Sequence, residues 1–251
     1  MMNLSILITN FNYGHYLDKC IRSCLSLKRP YPEFKYEILV VDDGSTDASS
    51  EILKKYDNSV DILRIENSGV EFAANSIYKM SKGDFIVRLD ADDLFRCDFL
   101  ETIDKTCQQV QRDDQIGFIY TNYEEIDEDG EVIKEIKLPA FSVVEIAERG
   151  DFLATGTVIK RSVLPRLLYS EDEKNCGLEN YKLILALVEK GYKGVRVNAN
   201  GFFYRRHNKS LSSLKKEAIV NYGNKMMSNF SFGEFKTNKY HPYNLIIDSA
   251  S

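Results

Sequence analysis

Residues 83–93 have the sequence GDFIVRLDADD, an apolar stretch that ends in three aspartates within four positions. The apolar part, residues 85–89, predicts a buried strand, because aliphatic and aromatic side chains suit a pleated, buried surface. Asp is a poor strand residue, so we expect the strand to end near Asp90. Ligands of open α/β sheets bind at the carboxyl ends of the strands, which is where Asp90, Asp92 and Asp93 would lie.

Three carboxylates this close together repel one another unless a cation compensates their charge. Hard oxygen ligands suit Mg²⁺ or Mn²⁺, ions that commonly bind substrate phosphates as well. The cluster therefore predicts a site for a divalent metal and a diphosphate. The alternative is a solvated acidic turn that caps the next helix, since Asp is a common N-cap residue.

Strand and helix signals alternate over the first 95 residues. Strands are predicted at residues 4–9, 36–41, 62–66 and 85–90, with helices between them at residues 16–27, 48–55 and 73–80. Pro30 and Pro32 are expected to end the first helix. Such alternation indicates βαβ units and a parallel sheet with helices on both faces. The polar segments that follow the strands would then meet along one edge of that sheet.

The second half of the chain is less regular. We predict helices at residues 99–111 and 178–190, strands at 116–122 and 195–204, a hairpin over 123–137 that turns at Asp129-Gly130, and a further strand within 152–160. From residue 217 onward a helix and an irregular tail are expected. No repeat or clear linker is visible, so a single domain is the preferred interpretation.

Composition excludes several classes of protein. The chain has 251 residues, 43% of them hydrophobic, and a net charge of -5, which favours a globular protein and argues against a nucleic-acid binder. No apolar run is long enough to span a bilayer, and residues 1–8 predict a first strand rather than a signal peptide. The five cysteines lack paired spacing, which argues against a disulfide framework or a zinc site and for the cytosol.

The common nucleotide and acyl-transfer motifs are absent from the sequence. There is no Gly-x-x-x-x-Gly-Lys-Ser/Thr loop, no Gly-x-Gly-x-x-Gly after the first strand and no Gly-x-Ser-x-Gly elbow. The acidic strand ends are therefore the main chemical signal.

Four segments, in this order and spacing, resemble the inverting family 2 glycosyltransferases of the GT-A fold. They are SILITNFN at residues 5–12, ILVVDDGSTD at 38–47, NSGVEFAAN at 67–75 and LDADD at 89–93. The resemblance covers about residues 3–215. It implies an α/β fold with a Rossmann-like, mostly parallel central sheet, helices on both faces and a small mixed subregion on the acceptor side. The GT-A domain would span residues 1–216, with a nucleotide-binding half (1–95) and an acceptor half (96–216), followed by a helix and tail (217–251).

The resemblance also implies roles for individual residues. The donor, a UDP-sugar, would be held by Thr9, Asn10, Phe11, Asn12, Asp42, Asp43, Asn67, Gly69, Asn75, Asp90 and Ala91. Phe11 would pack on the base, and Asp42 and Asp43 would bind the base and the ribose. Asp92, with Asp90 or Asp93, would hold Mn²⁺ or Mg²⁺ to neutralise the leaving diphosphate.

The segment RRHNKSLS at residues 205–212 resembles a late basic loop of the family. Arg205 and Arg206 would bind the diphosphate, since guanidinium groups suit phosphate. His207 would be a further metal ligand or a diphosphate contact. The alternative is a solvated basic loop.

The chain departs from the family at the catalytic base, which is normally the Asp of a Glu-Asp pair at the start of a late helix. The matching residues here are Glu179 and Asn180, and an amide cannot take up a proton. Either Glu179 is the base, or a carboxylate of the acidic segment at residues 171–173 replaces it, or the protein is weak or inactive. Thr9 and Ala74 also depart from the family, which has Pro and Arg there.

The sequence thus predicts a metal-assisted, inverting glycosyltransferase. A non-catalytic GT-A module that binds a sugar nucleotide is the alternative, and a nucleotidyltransferase lacks its expected Gly-rich N-terminal loop. The acceptor would be a saccharide or lipid-linked glycan of cell-envelope polysaccharide synthesis, with residues 152–157 lining its side. We expect a cytoplasmic protein. Its C-terminal region could touch the inner membrane face through basic and aromatic residues, namely Lys215, Lys216, Phe230, Phe232 and Phe235. The alternative is that these aromatic residues pack on the core or on a second subunit of a homodimer.

Overall fold

The structure, a computed structural model, describes residues 3–149, 155–172 and 174–235. In this part of the chain, one sheet contains nine strands. They are β1 (Asn3–Asn10), β2 (Lys35–Asp43), β3 (Asp61–Ile65), β4 (Phe85–Asp90), β5 (Leu94–Phe95), β6 (Ile116–Ile126), β7 (Val132–Ile136), β8 (Val158–Lys160) and β9 (Lys193–Arg205). Their order is β3-β2-β1-β4-β8-β6-β9-β5, with β7 paired to β6.

The described residues also contain eight α-helices and one 3-10 turn (Arg161–Val163), and the last two helices follow β9. The helices are α1 (Gly14–Leu25), α2 (Ser49–Lys54), α3 (Val70–Met80), α4 (Phe99–Gln111), α5 (Val143–Arg149), α6 (Glu179–Glu189), α7 (Leu211–Leu214) and α8 (Lys216–Met227). Helix α1 shows why they form, since Leu17, Ile21 and Cys24 recur at helical spacing and are all fully buried.

The first four strands are parallel, as the sequence predicts. Strand β1 lies between β2 and β4, and its register pairs Asn10 with Asp42 and Thr9 with Asp90. Strand β3 extends the parallel set beyond β2. The polar ends of β1, β2 and β4 therefore meet along one edge of the sheet, as expected from their positions after the apolar runs.

The second half of the chain forms a mixed continuation of the same sheet. Strand β8 pairs antiparallel with both β4 and β6, whereas β6 and β9 are parallel. The predicted hairpin is confirmed as β6 and β7, joined through Asp127, whose Oδ1 accepts hydrogen bonds from three backbone N–H groups of the turn. The division into two halves and a tail stays a prediction.

Several predicted boundaries shift because pairing extends or limits the elements. Strand β2 continues through Asp42 and Asp43, since their backbones pair with β3. Helix α1 ends at Leu25, ahead of Pro30 and Pro32, rather than at residue 27. Helix α3 begins three residues earlier than expected, at Val70.

Several elements were not correctly predicted. Helices α5 and α7 and the 3-10 turn lie in segments for which no helix was predicted. Strand β5 was missed because it has only two residues, and it exists through its antiparallel pairing with Phe202 and Phe203 of β9. The strand expected within residues 152–160 is observed only as β8, and residues 152–154 lie outside the described ranges.

The aromatic residues of the C-terminal region pack onto the protein. Phe235 is 4% exposed, and its ring centroid lies 6.3 Å from that of Tyr181. Phe230 and Phe232 are half-buried against the core. For these three rings the structure supports core packing rather than membrane contact. Among the described residues, no helix combines the length and the apolar character needed to cross a bilayer.

Candidate active site

The carboxyl ends of β1, β2 and β4 open onto a cleft of about 760 Å³. Of the residues predicted to form the site, the structure brings to its walls Thr9, Asn10, Phe11, Asn12, Asp43, Asn67, Asp90, Ala91, Asp92, Glu179 and Asn180. Other predicted residues lie behind or beside these walls: Asp42, Gly69, Asn75, Asp93, Arg205, Arg206 and His207.

The end of β1 is held by side-chain hydrogen bonds to the segment after β2. The Asn10 amide donates to Asp42 Oδ1 at 2.9 Å and to Ser49 Oγ at 3.0 Å. Asp42 is therefore engaged in fixing the strand end. Phe11, which follows, is 46% exposed and lines the cleft. An exposed aromatic face at this place can stack on a planar ring such as a nucleobase.

Asp43 organises the loop between β3 and α3. Its Oδ1 accepts a hydrogen bond from the Ser68 N–H at 2.7 Å, and its Oδ2 accepts one from the Gly69 N–H at 2.9 Å. Gly69 has a φ of 94°, a conformation that side chains with a Cβ rarely adopt. Asn67 of the same loop lines the cleft, whereas Gly69 does not. Gly69 therefore contributes to the site by allowing the conformation of the loop.

Asn75 also acts from behind the cleft. Its amide donates to the Tyr169 carbonyl and to Glu171 Oε1, both at 2.9 Å, and its Oδ1 accepts from the Tyr169 N–H at 3.1 Å. These contacts fix the segment before α6. Of the alternative bases, Glu171 is thus bound to Asn75, and Glu173 lies outside the described residues.

The acidic cluster is supported by the end of β9 and the loop that follows it. Asp92 Oδ2 lies 2.9 Å from His207 Nε2, and Asp93 Oδ1 accepts from the Arg205 N–H at 2.8 Å. Asp93 Oδ2 is buried and has no hydrogen-bond partner in the part of the chain that the structure describes. Burial, then the neighbouring carboxylates Asp92 and Asp90, raise the pKa of Asp93 well above its usual range.

These carboxylates fit a divalent cation that is shared with a substrate. No three of the predicted ligands Asp90, Asp92, Asp93 and His207 bring ligand atoms within 4.8 Å of one another, so they do not form a closed cage. Mg²⁺ is usually held by one or two carboxylates together with substrate phosphates and water, which suits Asp90 and Asp92 on the cleft wall. His207 orients Asp92, and its role as a metal ligand stays a prediction.

Asp90 is expected to make the stability of the metal-free protein depend on pH. Burial raises its pKa to about 6, with Arg88 opposing and Asp92 adding to the rise. Between about pH 4 and about pH 6 the folded chain therefore binds a proton that the unfolded chain has lost, so the free energy of unfolding falls as pH increases. Thermal melts should show a melting temperature that drops more steeply from pH 4 to pH 6 in the wild type than in Asp90→Asn.

If Mn²⁺ binds the ionised carboxylates, added Mn²⁺ should raise the melting temperature more at pH 7 than at pH 5. If the melting temperatures of the wild type and of Asp90→Asn fall equally with pH, Asp90 is not the group that causes the pH dependence.

Arg205 and Arg206 do not reach the cleft. Arg205 is 1% exposed, and its guanidinium donates to the backbone carbonyls of Asp92 and Asp127 at 2.8 and 2.7 Å. Arg206 pairs with Glu125 at 2.8 Å. The structure therefore gives Arg205 a structural role beneath the acidic cluster, in place of the predicted diphosphate contact. The cations that this region brings to the cleft are Lys209 and Lys215.

Glu179 lies at the start of α6 in a buried ion pair. Arg88 Nη1 donates to Glu179 Oε1 at 2.6 Å, and Arg88 Nη2 lies 3.1 Å from Asp90 Oδ1. Arg88 thereby links the acidic strand end to the candidate base. Its guanidinium sits over the Tyr169 ring, 5.6 Å from the centroid, and the Tyr169 hydroxyl donates to Asn180 Oδ1.

The sequence interpretation missed several residues of this site. Arg88 was treated as part of an apolar strand, although a charged residue in a buried strand needs a partner, which is the signal that could have identified it. Thr155 also lines the cleft and belongs to the segment that was predicted to line the acceptor side. No individual role was predicted for the remaining cleft residues, which are Tyr13, His15, Asp47, Val70, Ala73, Asn175, Gly177, Tyr204, Ser210, Leu211 and Leu214.

Comparisons with known proteins show the family of this chain. A model of the family described as Glycosyl transferase family 2 matches residues 5–168. The putative teichuronic acid biosynthesis glycosyltransferase TuaG of Bacillus subtilis is 26% identical over 226 residues, which cover 86% of this chain and 83% of TuaG.

Solved structures share the fold. S. aureus TarS 1-349 in complex with UDP has a TM-score of 0.65 at 16% identity, covering 92% of this chain and 73% of that one. Mannosyltransferase PcManGT from Pyrobaculum calidifontis, in complex with GDP-Man and Mn²⁺, has a TM-score of 0.66 at 15% identity, covering 90% and 63%. The predicted α/β GT-A fold is confirmed, and since the family model matches more than half of the chain, this chain belongs to glycosyl transferase family 2.

Proposed function

We propose that this chain transfers a sugar from a nucleotide-diphosphate sugar, preferably a UDP-sugar, to a hydroxyl group of a saccharide or lipid-linked acceptor, with inversion and with the help of Mn²⁺ or Mg²⁺. The observation that carries the proposal is the convergence of Asp90, Asp92 and Glu179 on one cleft that also presents Phe11. The residues that we propose as metal ligands, as base and as aromatic platform thus line the same cleft.

The reaction requires a single displacement at the anomeric carbon. The acceptor oxygen forms the new bond while the bond to the leaving diphosphate breaks, and the acceptor proton passes to the base. A divalent cation at Asp92 would neutralise the charge that develops on the diphosphate. Lys209 and Lys215 line the cleft and would add positive charge on the same side.

Glu179 is our candidate base. Its Oε1 is fixed by Arg88, and its Oε2 is buried without a partner among the described residues, so Oε2 is free to accept the acceptor proton. Asn180 contributes an amide oxygen that already accepts from Tyr169. Arg88 positions Glu179 because the ion pair defines the orientation of the carboxylate.

Similar proteins support the proposed donor and acceptor. TarS was crystallised with UDP and PcManGT with GDP-Man, so both uracil and guanine donors occur on this fold. The similarity to TuaG, a putative teichuronic acid biosynthesis glycosyltransferase, supports an acceptor in cell-envelope polysaccharide synthesis. We place such a reaction on the cytoplasmic side of the membrane.

A second candidate function is a GT-A module that binds a sugar nucleotide without turnover. The observation that favours it is Asn180, an amide at the position of the family's base, whose Oδ1 is bound to Tyr169. In that case Glu179 would serve only the buried ion pair with Arg88.

Isothermal titration with UDP and with GDP, each with and without Mn²⁺, tests the proposal. We expect UDP binding that strengthens at least about tenfold with Mn²⁺, and slow hydrolysis of a UDP-sugar in the same buffer. If only GDP binds, and binds in a metal-dependent way, the nucleobase of the donor is guanine rather than uracil, and the proposed class of reaction is unchanged. Failure of both nucleotides to bind in the presence of Mn²⁺ would contradict the proposed function.

A further inference from the structure

We propose that Glu71, Cys176 and Glu179 form a second cation site, selective for a thiophilic divalent ion such as Zn²⁺ and separate from the acidic cluster at the end of β4. Their ligand atoms all lie within 4.8 Å of one another. Among the described residues, this is the one group of three or more such side chains that meets this distance. Glu71 lies in α3, Cys176 lies in the segment before α6, and Glu179 is the first residue of α6.

The backbone already holds two of these ligands together. Glu71 is 2% exposed, and its two carboxylate oxygens accept hydrogen bonds from the N–H groups of Asn175 and Cys176, at 2.8 and 2.9 Å. Asn175 Oδ1 in turn accepts from the Val70 N–H, at 3.0 Å. Each oxygen of Glu71 keeps a further lone pair, so a cation could bind without breaking these contacts.

Glu179 supplies an independent sign of a missing ligand. The residue is 7% exposed, and its Oε1 is used by Arg88. Its Oε2 is buried and has no hydrogen-bond partner within the described ranges. An unpaired buried carboxylate oxygen is costly, and a cation or a substrate proton would satisfy it.

The site has an entrance of its own. A groove of about 300 Å³ is lined by Glu71, Cys176 and Glu179 together with mostly apolar side chains that include Leu168 and Leu183. Of the three residues, only Glu179 also lines the cleft at the carboxyl ends of β1, β2 and β4. Glu71 and Cys176 do not line that cleft. An ion can therefore arrive through the groove, and a water there can complete a four-coordinate shell.

Charge and ligand type select the ion. Burial and then the Glu179 carboxylate raise the pKa of the Cys176 thiol, so the thiol is protonated in the absence of metal. Binding would exchange that proton for a divalent cation, leaving three anionic ligands that the cation and Arg88 neutralise together. One thiolate with two carboxylates suits Zn²⁺ or Co²⁺, whereas Mg²⁺ and Mn²⁺ prefer oxygen alone.

The consequence concerns the candidate base. Zn²⁺ bound here would engage Glu179 Oε2 and prevent it from accepting a proton, so the ion would inhibit transfer. This consequence rests on the proposed function, whereas binding of the ion does not.

Titration of the whole chain with Co²⁺ in excess Mg²⁺ tests the site, because a thiolate ligand gives a charge-transfer absorption band. We expect one Co²⁺ with that band in the wild type, displaced by Zn²⁺. Cys176→Ser should lose the band and bind Zn²⁺ at least about tenfold more weakly. The matched control Cys97→Ser, which changes the exposed cysteine after β5, should behave as the wild type.

Absence of the band in the wild type, or undiminished Zn²⁺ affinity in Cys176→Ser, would overturn the site. Asp92→Asn should retain the band, and its loss in that variant would place the ion at the acidic cluster instead. Because these readouts need no turnover, they stand even if the proposed transfer reaction fails. If transfer is measured, the rate with Zn²⁺ is compared with the rate of the same variant without Zn²⁺. We expect Zn²⁺ to inhibit Cys176→Ser less than it inhibits the control Cys97→Ser.

Discussion

Replacing Asp92 by alanine is expected to abolish the Mn²⁺-dependent part of UDP binding and to lower sugar transfer by on the order of 1000-fold. Asp92 is the carboxylate that both lines the cleft and is oriented by His207, at 2.9 Å. Without it, the divalent ion that screens the diphosphate loses its principal protein ligand. Titration calorimetry with UDP, with and without Mn²⁺, measures the binding part of this loss.

The control is Asp61→Ala, which removes an exposed carboxylate at the start of β3, at the opposite end of the strands from the cleft. This variant should keep both the affinity for UDP and its metal dependence. Thermal melts should confirm that Asp92→Ala remains folded. Mn²⁺-dependent UDP affinity in Asp92→Ala equal to that of the wild type would contradict the assignment of Asp92 to the metal.

Changing Glu179 to glutamine is the second large-effect prediction. An amide cannot take the acceptor proton, so transfer should fall by on the order of 100-fold to 10,000-fold, while UDP affinity stays near the wild-type value. Breaking the buried ion pair with Arg88 should also destabilise the fold by on the order of 3 kcal/mol. Arg88 keeps Asp90 as a partner at 3.1 Å, so the variant should still fold.

Asn180→Asp separates the two candidate functions, because it restores the family's carboxylate beside Glu179. If Glu179 is the base, the wild type is active, and the added negative charge next to Glu179 should leave transfer unchanged or slower. A wild type without turnover that becomes active in Asn180→Asp would instead favour the binding module. Transfer rates of the wild type, Glu179→Gln and Asn180→Asp, measured with the same donor and acceptor, distinguish these outcomes.

Much of the fold of residues 3–95 was predictable because its signals are local. The apolar run before Asp90 and the runs before Asn10 and Asp42 each encode a buried strand, and intervening helices make the strands parallel. Parallel strands place their carboxyl ends at one edge, so the register that sets Asn10 beside Asp42 follows from topology. The cleft position of Asp92 could be predicted in the same way.

Residues that act through distant partners could not be placed from local patterns. Arg205 looked like a phosphate ligand in a basic segment, but the fold buries its guanidinium on the backbone carbonyls of Asp92 and Asp127. Strand β5 likewise exists only through its pairing with β9.

The sequence by itself determined the family, the α/β alternation and the acidic strand end, since each depends on residue types at short, fixed spacing. Only the tertiary structure decided that Arg88 joins Asp90 to Glu179, which lies 91 residues after Arg88. It likewise decided that Glu71 of α3 meets Cys176 of the segment before α6. The physical reason is that ion pairs and hydrogen bonds between distant segments depend on how the sheet and helices pack, which no local periodicity encodes.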